Sequence, residues 1–271
     1  MERLENFLQQ AWMDYISLTP QAEVIHQALI DHDENIINDH IALRTFKYPG
    51  IDLTTLGSLF EKAGYHLLDN YSFPDKHLSA SAFFINSDQP KIFISELHID
   101  RLSDENQQII LPHLINSEPI AKDLGFLCSG RPWSLISHQQ YQQLATESEY
   151  AAWLMVMGYH PNHFTISLNH LKYYSEWENF LTLIESLNIP LNQQGGIIKG
   201  SEDVLLEQAS TLADEISCTF SDGEFTIKTC FYEFAKRFRN KEGELFHGFV
   251  TDNANQIFSS TDINNIRDDG L

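Results

Sequence analysis

His40 and His163 each open a β-like run, in "DHIALRT" and "NHFTISL". Glu96 and Glu233 each stand in a later run, "FISELHI" and "FYEFAKR". Side chains alternate along a strand, so Glu96 shares a face with Ile92 and Ile94, and Glu233 shares one with Phe231 and Ala235. A carboxylate on an apolar strand face is costly to bury without a partner, and a metal ion would be such a partner. Two imidazoles and one carboxylate on one side of a divalent ion leave positions open opposite, the arrangement of non-haem Fe(II) oxygenases. No cysteine is placed to complete a structural zinc site. This reading makes His40, His163 and Glu233 the metal ligands. Glu96 reads as a fourth ligand, an ion-pair partner or, the favoured choice, a catalytic base just behind the ligands. Each residue also has an ordinary reading. The chain has 12 histidines, and a histidine is more often a surface or hydrogen-bonded group than a ligand. His66, His98, His160 and His170 are read that way.

Three cations complete the candidate site. Arg44 lies four residues after His40 and points the same way on a strand, where its guanidinium could grip a substrate carboxylate with two hydrogen bonds. Lys76 in "FPDKHLSA" and Arg237 in "FAKRF" are further substrate-binding candidates, with ion pairing or plain solvation as alternatives. "GGIIKGSEDVLL" lacks the spacing of a phosphate loop, and no GxSxG elbow is present.

The elements that must position these residues follow a repeated order. Residues 2–32 have a helical apolar stripe. From about 36 to 99 the chain reads strand, helix, strand, strand, strand. The helix starts at Asp52 as N-cap and stops at Gly64. A second such unit spans about 161–235, its helix opened by a capping box at Ser175/Glu178. Between them, residues 101–160 read as a helical insertion packed outside the sheet, with a second capping box at Ser137/Gln140. The segment from Leu245 onward reads as a closing piece over the site. The expected fold is α+β: a single domain of two βαβββ-like units forming a cupped, partly open barrel with added helices, lined by alternate strand residues and suited to a small molecule.

Bulk composition narrows the classes. The chain has 271 residues, enough to bury a core without staples. Its 17 Lys and Arg against 38 Asp and Glu give a net charge of -21, which repels phosphate backbones and argues against a nucleic-acid partner. Any anionic substrate needs a local positive pocket. Cys128, Cys218 and Cys230 have no pairing pattern and read as free thiols of a reducing compartment. No signal peptide and no run long enough to cross a membrane is read, so the expectation is a cytoplasmic protein without a membrane partner. Oligomeric state is left open.

"DHIALRTF", "GYHLLDNYSFPDKHLSA", "PKIFISEL", "NHFT" and "FYEFAKR" together resemble the 2-oxoadipate dioxygenase/decarboxylase family, over residues 5–262. The resemblance implies a vicinal-oxygen-chelate-like fold and a metal triad at His40, His163 and Glu233. It implies that Arg44 binds a substrate carboxylate. It further implies Fe(II), with Mn, Ni or Zn as stand-ins in isolated protein, and conversion of 2-oxoadipate and O2 to 2-hydroxyglutarate and CO2, a step of lysine catabolism. The alternatives carried with it are a metal-dependent glyoxalase-type lyase or isomerase and a non-catalytic small-molecule-binding protein.

Overall fold

The computed structural model describes residues 2–257. Helix α1 (Glu2–Leu18) and helix α2 (Pro20–Asp31) replace the single N-terminal helix expected from the apolar stripe. Pro20 supplies the break: proline disfavours helical geometry at the residue before it, yet suits the first turn of a new helix.

The first strand group is β1 (Asn38–Phe46), α3 (Leu53–Lys62), β2 (His66–Phe73), β3 (Leu78–Phe84) and β4 (Lys91–Leu97). Asp52 caps α3 by accepting from the Thr55 amide at 2.7 Å, as expected. Helices α4 (Asp104–Ser117), α5 (His138–Glu147) and α6 (Glu149–Met157) follow. The capping box at Ser137/Gln140 is formed. The second strand group is β5 (Pro161–Ser167), α7 (Trp177–Ser186), β6 (Lys199–Ser201), β7 (Leu206–Ser210), then β8 (Glu215–Phe220), β9 (Gly223–Lys228) and β10 (Phe231–Arg237). A short helix, α8 (Thr251–Ile257), ends the described chain, and the rest of the expected closing segment lies outside the described residues. The capping box expected at Ser175/Glu178 does not form. Glu176 takes the N-cap position without a side-chain cap, and its carboxylate accepts from Lys236 instead.

Eight strands make one sheet in the order β2-β3-β4-β1-β5-β10-β7-β6. At its centre β1 and β5 run antiparallel; outward, each has a parallel neighbour, β4 and β10, followed by antiparallel strands. The strand directions therefore mirror each other about the β1–β5 seam. Strands β8 and β9 stand apart as a two-stranded ribbon.

Helices α3 and α7 back the outer face. Gly57 of α3 has no room for a β-carbon against the Phe83 ring, which lets the helix approach the sheet closely. Phe180 of α7 meets Phe234 of β10 at 4.6 Å between ring centroids. Helix α6 does not pack outside the sheet as expected. Tyr150 through Met157 are all buried. The Tyr150 hydroxyl donates to the Ser95 carbonyl (2.7 Å) and accepts from the Thr45 amide (3.0 Å), at the ends of β4 and β1. The Trp153 indole donates to the Thr229 carbonyl just before β10. A helix apolar on all sides belongs in an interior, and α6 plugs one end of the cup.

Candidate metal centre

The seam register brings the ligand candidates together. His40 of β1 faces Thr165 of β5, which faces Glu233 of β10; His163 lies two residues from Thr165, on the same strand face. The ligand atoms of His40, His163 and Glu233 all lie within 4.8 Å of one another, and all three residues are buried. His40 Nε2 is 3.5 Å and His163 Nε2 is 3.2 Å from the Glu233 carboxylate.

Each imidazole is oriented by the residue before it. His40 Nδ1–H donates to Asp39 (2.9 Å), and His163 Nδ1–H donates to the Asn162 side-chain oxygen (3.1 Å). That tautomer leaves a lone pair on both Nε2 atoms. Thr165 donates its hydroxyl to His40 Nε2 at 3.1 Å, and Gln208 donates to Glu233 at 2.6 Å. Beyond those, the His163 ring nitrogen and the Glu233 carboxylate aim acceptors at each other in a dry pocket, which is repulsive unless positive charge stands between them, and a metal on His40 Nε2 would take the place of the Thr165 donor. Donors at about 2.1 Å from an octahedral metal lie roughly 3 Å apart, so the spacing fits a divalent first-row ion. Burial pushes the Glu233 carboxyl up, but the histidines and Gln208 outweigh it and hold its pKa below the ordinary value. Burial lowers His163, with Glu233 opposing, which favours its neutral, ligating form.

Arg44 lines the same cavity as the three candidate ligands, together with Phe93, Ser95, Gln208 and Phe249. Its guanidinium lies over the rings of Tyr150 (4.8 Å) and Trp153 (5.0 Å), and its Nη1 donates to Glu149 of α6 at 3.3 Å.

Three expected site residues are placed elsewhere. Glu96 points away from the cup and accepts from the Leu53 amide at the start of α3 (2.9 Å). The register gives the reason. His40 pairs with Lys91 as His163 pairs with Phe231, so the β4 counterpart of Glu233 is Phe93. Glu96 lies three residues further, an odd step that turns it to the opposite face. Glu96→Ala is therefore expected to lower stability by about 1 kcal/mol through loss of an acceptor at a helix N-terminus. Metal content and kcat/KM should change less than about twofold, because the side chain faces away from the cavity; thermal melts and a turnover assay check both. Lys76 stands exposed in the turn between β2 and β3 and is not among the cavity-lining residues. Arg237 is 3% exposed and spends its guanidinium on Asp39, so it does not present a free fork to substrate.

The four histidines read as structural stay away from the centre. His160 pairs with Asp14, His170 bonds Ser167, His98 bonds Ser79, and His66 lies against Phe84. The reading missed Asp39, Asn162, Thr165, Gln208 and Lys91. A signal for the first two was present: both candidate ligand histidines directly follow an Asx residue whose side-chain oxygen can fix the ring.

A mirrored eight-stranded cup with two histidines and a carboxylate at its seam is a vicinal-oxygen-chelate-like protein with a candidate metal site. The family model described as 2-oxoadipate dioxygenase/decarboxylase matches residues 4–126 and 125–244. The chain belongs to that family. A "2-oxoadipate dioxygenase/decarboxylase, chloroplastic" of Arabidopsis thaliana is 36% identical over 257 residues, 84% of this chain and 69% of that protein. The crystal structure of a hydroxyglutarate synthase from Oryza sativa in complex with 2-oxoadipate is 33% identical, with a TM-score of 0.88 over 96% of this chain and 92% of that one. A crystal structure from Shewanella frigidimarina NCIMB 400, described as that of a hydrolase candidate, is 43% identical, with a TM-score of 0.85 over 91% of this chain and 97% of that one.

The cytoplasmic expectation is overturned by these relatives, because the named plant proteins are chloroplastic or amyloplastic. Among the described residues no helix is long and apolar enough to cross a membrane. That fact and the free thiols say nothing about which compartment holds the chain.

Proposed function

We propose that this protein is an Fe(II)-dependent dioxygenase and decarboxylase that converts 2-oxoadipate and O2 to 2-hydroxyglutarate and CO2. The observation that carries the reading is the convergence of His40, His163 and Glu233 in a cavity that Arg44 also lines. Membership of the family and the rice enzyme's named complex with 2-oxoadipate support the substrate. The same reading takes the chain as one domain of two related units, 36–99 and 161–235, supported by the mirrored strand order.

His40, His163 and Glu233 would hold the iron, which would supply a Lewis-acidic centre for the 2-oxo acid and a redox-active site for O2, the net electrons coming from the substrate. The chain's own residues do the rest. Asp39 and Asn162 keep both Nε2 lone pairs turned inward. Arg44 stands two residues beyond Ala42, the partner of His163, and so about 7 Å further along β1 at 3.3 Å per residue. That offset suits the far carboxylate of a short diacid. Phe93 and Phe249 wall the cavity and keep water from the reacting end, and Tyr150 of α6 stacks on Arg44. The side-chain amide nitrogen of Asn162, on the cavity wall, has no hydrogen-bond partner among the described residues and offers a donor to a bound acid.

The test is anaerobic loading with Fe(II), followed by O2 uptake with a panel of 2-oxo acids. One O2 consumed per 2-oxoadipate, with 2-hydroxyglutarate and CO2 formed, is expected. Isomerase or lyase activity with Zn or Ni and no O2 uptake would replace this reading with the glyoxalase-type one. Failure to take up any metal would leave the binding-protein reading.

A further inference from the structure

Arg237 is committed on every edge. Its Nε donates to Asp39 Oδ2 at 2.6 Å and its Nη2 to Asp39 Oδ1 at 2.8 Å. Its Nη1 donates to the carbonyls of Gly248 (2.6 Å) and Phe246 (3.2 Å). The guanidinium also lies 5.2 Å from the centre of the Phe249 ring. Phe249 in turn stands edge-on to the His40 imidazole, 4.8 Å away at 90°, and its amide donates to the Tyr71 hydroxyl at 3.1 Å. Residues 246–249 thus roof the end of the cup opposite α6. One guanidinium joins two carbonyls of that roof to the carboxylate that orients His40.

We propose that Arg237 is a positioning residue that couples the metal ligand His40 to the covering segment 246–249, so that a bound divalent metal holds the segment down. The proposal rests on the metal-centre reading. A cation on Nε2 withdraws charge from the ring and makes Nδ1–H a stronger donor to Asp39. A firmly held Asp39 fixes the plane of the arginine fork, and only then does Nη1 aim at both carbonyls. Lysine has the charge but no second edge, so it cannot bridge the two. Asp39 has a second cation, Lys91, at 3.6 Å. Removing Arg237 therefore leaves the carboxylate a cationic neighbour in Lys91 and uncouples the roof. Coupling is reciprocal: what loosens the roof also weakens the metal.

The test is hydrogen exchange, read by mass spectrometry on peptides covering 246–250, in the full chain with and without Fe(II) under argon. In wild type, Fe(II) is expected to slow exchange of that segment by about tenfold while a peptide from α4 stays unchanged. In Arg237→Met and Arg237→Lys the slowing should fall below about twofold, with Fe(II) affinity weakened by roughly tenfold, the lower end for partners of metal ligands. Lys236→Ala, next door and ion-paired with Glu176, should behave as wild type. If the methionine variant does not fold, Asp39→Asn decides the matter, since it keeps an acceptor for His40 and loses the two-edged clamp. Equal protection in wild type and the Arg237 variants overturns the coupling. So does wild type that binds iron stoichiometrically with no change at 246–250. Wild type that binds no metal overturns the metal-centre reading itself, and the coupling with it.

Discussion

Glu233→Gln is expected to lose stoichiometric iron and at least about a thousandfold in 2-oxoadipate turnover. A catalytic metal supplies several kcal/mol of stabilisation, and each 1.36 kcal/mol is tenfold in rate. The same variant should fold as well as wild type without metal, or better. Glu233 is 1% exposed and faces two ring nitrogens that present lone pairs. A glutamine amide donates where the carboxylate can only accept, so it can satisfy His163 Nε2, while Thr165 already donates to His40 Nε2. Wild type should gain about 5 °C in melting temperature with Fe(II) at a hundred times its Kd, from roughly 2.7 kcal/mol of linkage in a chain of this size. The variant should gain nothing. Metal analysis, anaerobic melts and O2 uptake read the three effects. A variant that keeps bound iron and more than a tenth of wild-type turnover would remove Glu233 from the ligand set.

Arg44→Lys is expected to cut kcat/KM for 2-oxoadipate by roughly ten- to a hundredfold and to change a monocarboxylic 2-oxo acid much less. A two-edged arginine–carboxylate contact contributes on the order of 1.5–3 kcal/mol, and lysine keeps the charge but loses the fork. Arg44 is 3% exposed, in a chain whose net charge of -21 otherwise repels a dianion. Glu149 adds a second arm. Its carboxylate already holds Arg44 Nη1 and its side chain is 20% exposed, so an incoming acid shares or displaces it. A partly exposed pair is worth at most about 1 kcal/mol. Glu149→Gln should therefore raise the diacid-to-monoacid preference by up to about fivefold, opposite in sign to Arg44→Lys. Equal losses on both acid classes in Arg44→Lys would mean that the arginine supports the fold and not the far carboxylate.

What could be read in the chain follows from how local each signal was. His40 and His163 sit at strand heads behind an Asx residue, a pattern complete within two positions, and the structure brings both rings to one point. The apolar stripe of α3 and its Asp52 cap are equally local. Glu96 failed because its face depended on register: an apolar run tells that a strand exists, and only pairing with β1 tells which residue matches Glu233. Helix α6 was misplaced because an all-apolar segment carries no periodic face to say what it packs against. The break at Pro20 was visible in the sequence, but the continuous stripe outweighed it. Arg237 was recognised as a cation at the end of β10. Its true contacts lie some 200 residues back at Asp39 and just ahead in the irregular 246–248 segment, and no short-range pattern records either.

The matching of Glu233 with Phe93 bears on how such a centre is opened. A cup with a perfect twofold axis through the β1–β5 seam, normal to the sheet, would offer a bound ion the same side chains from either half, two imidazoles and two carboxylates. Phe93 breaks that symmetry. Where the second half presents a charge, the first presents an aromatic wall, which also packs against Phe249 at 4.9 Å between ring centres. On the proposed metal reading, the open position beside a bound ion would be the footprint of one missing ligand, and its asymmetry would give a small guest a single way round to enter.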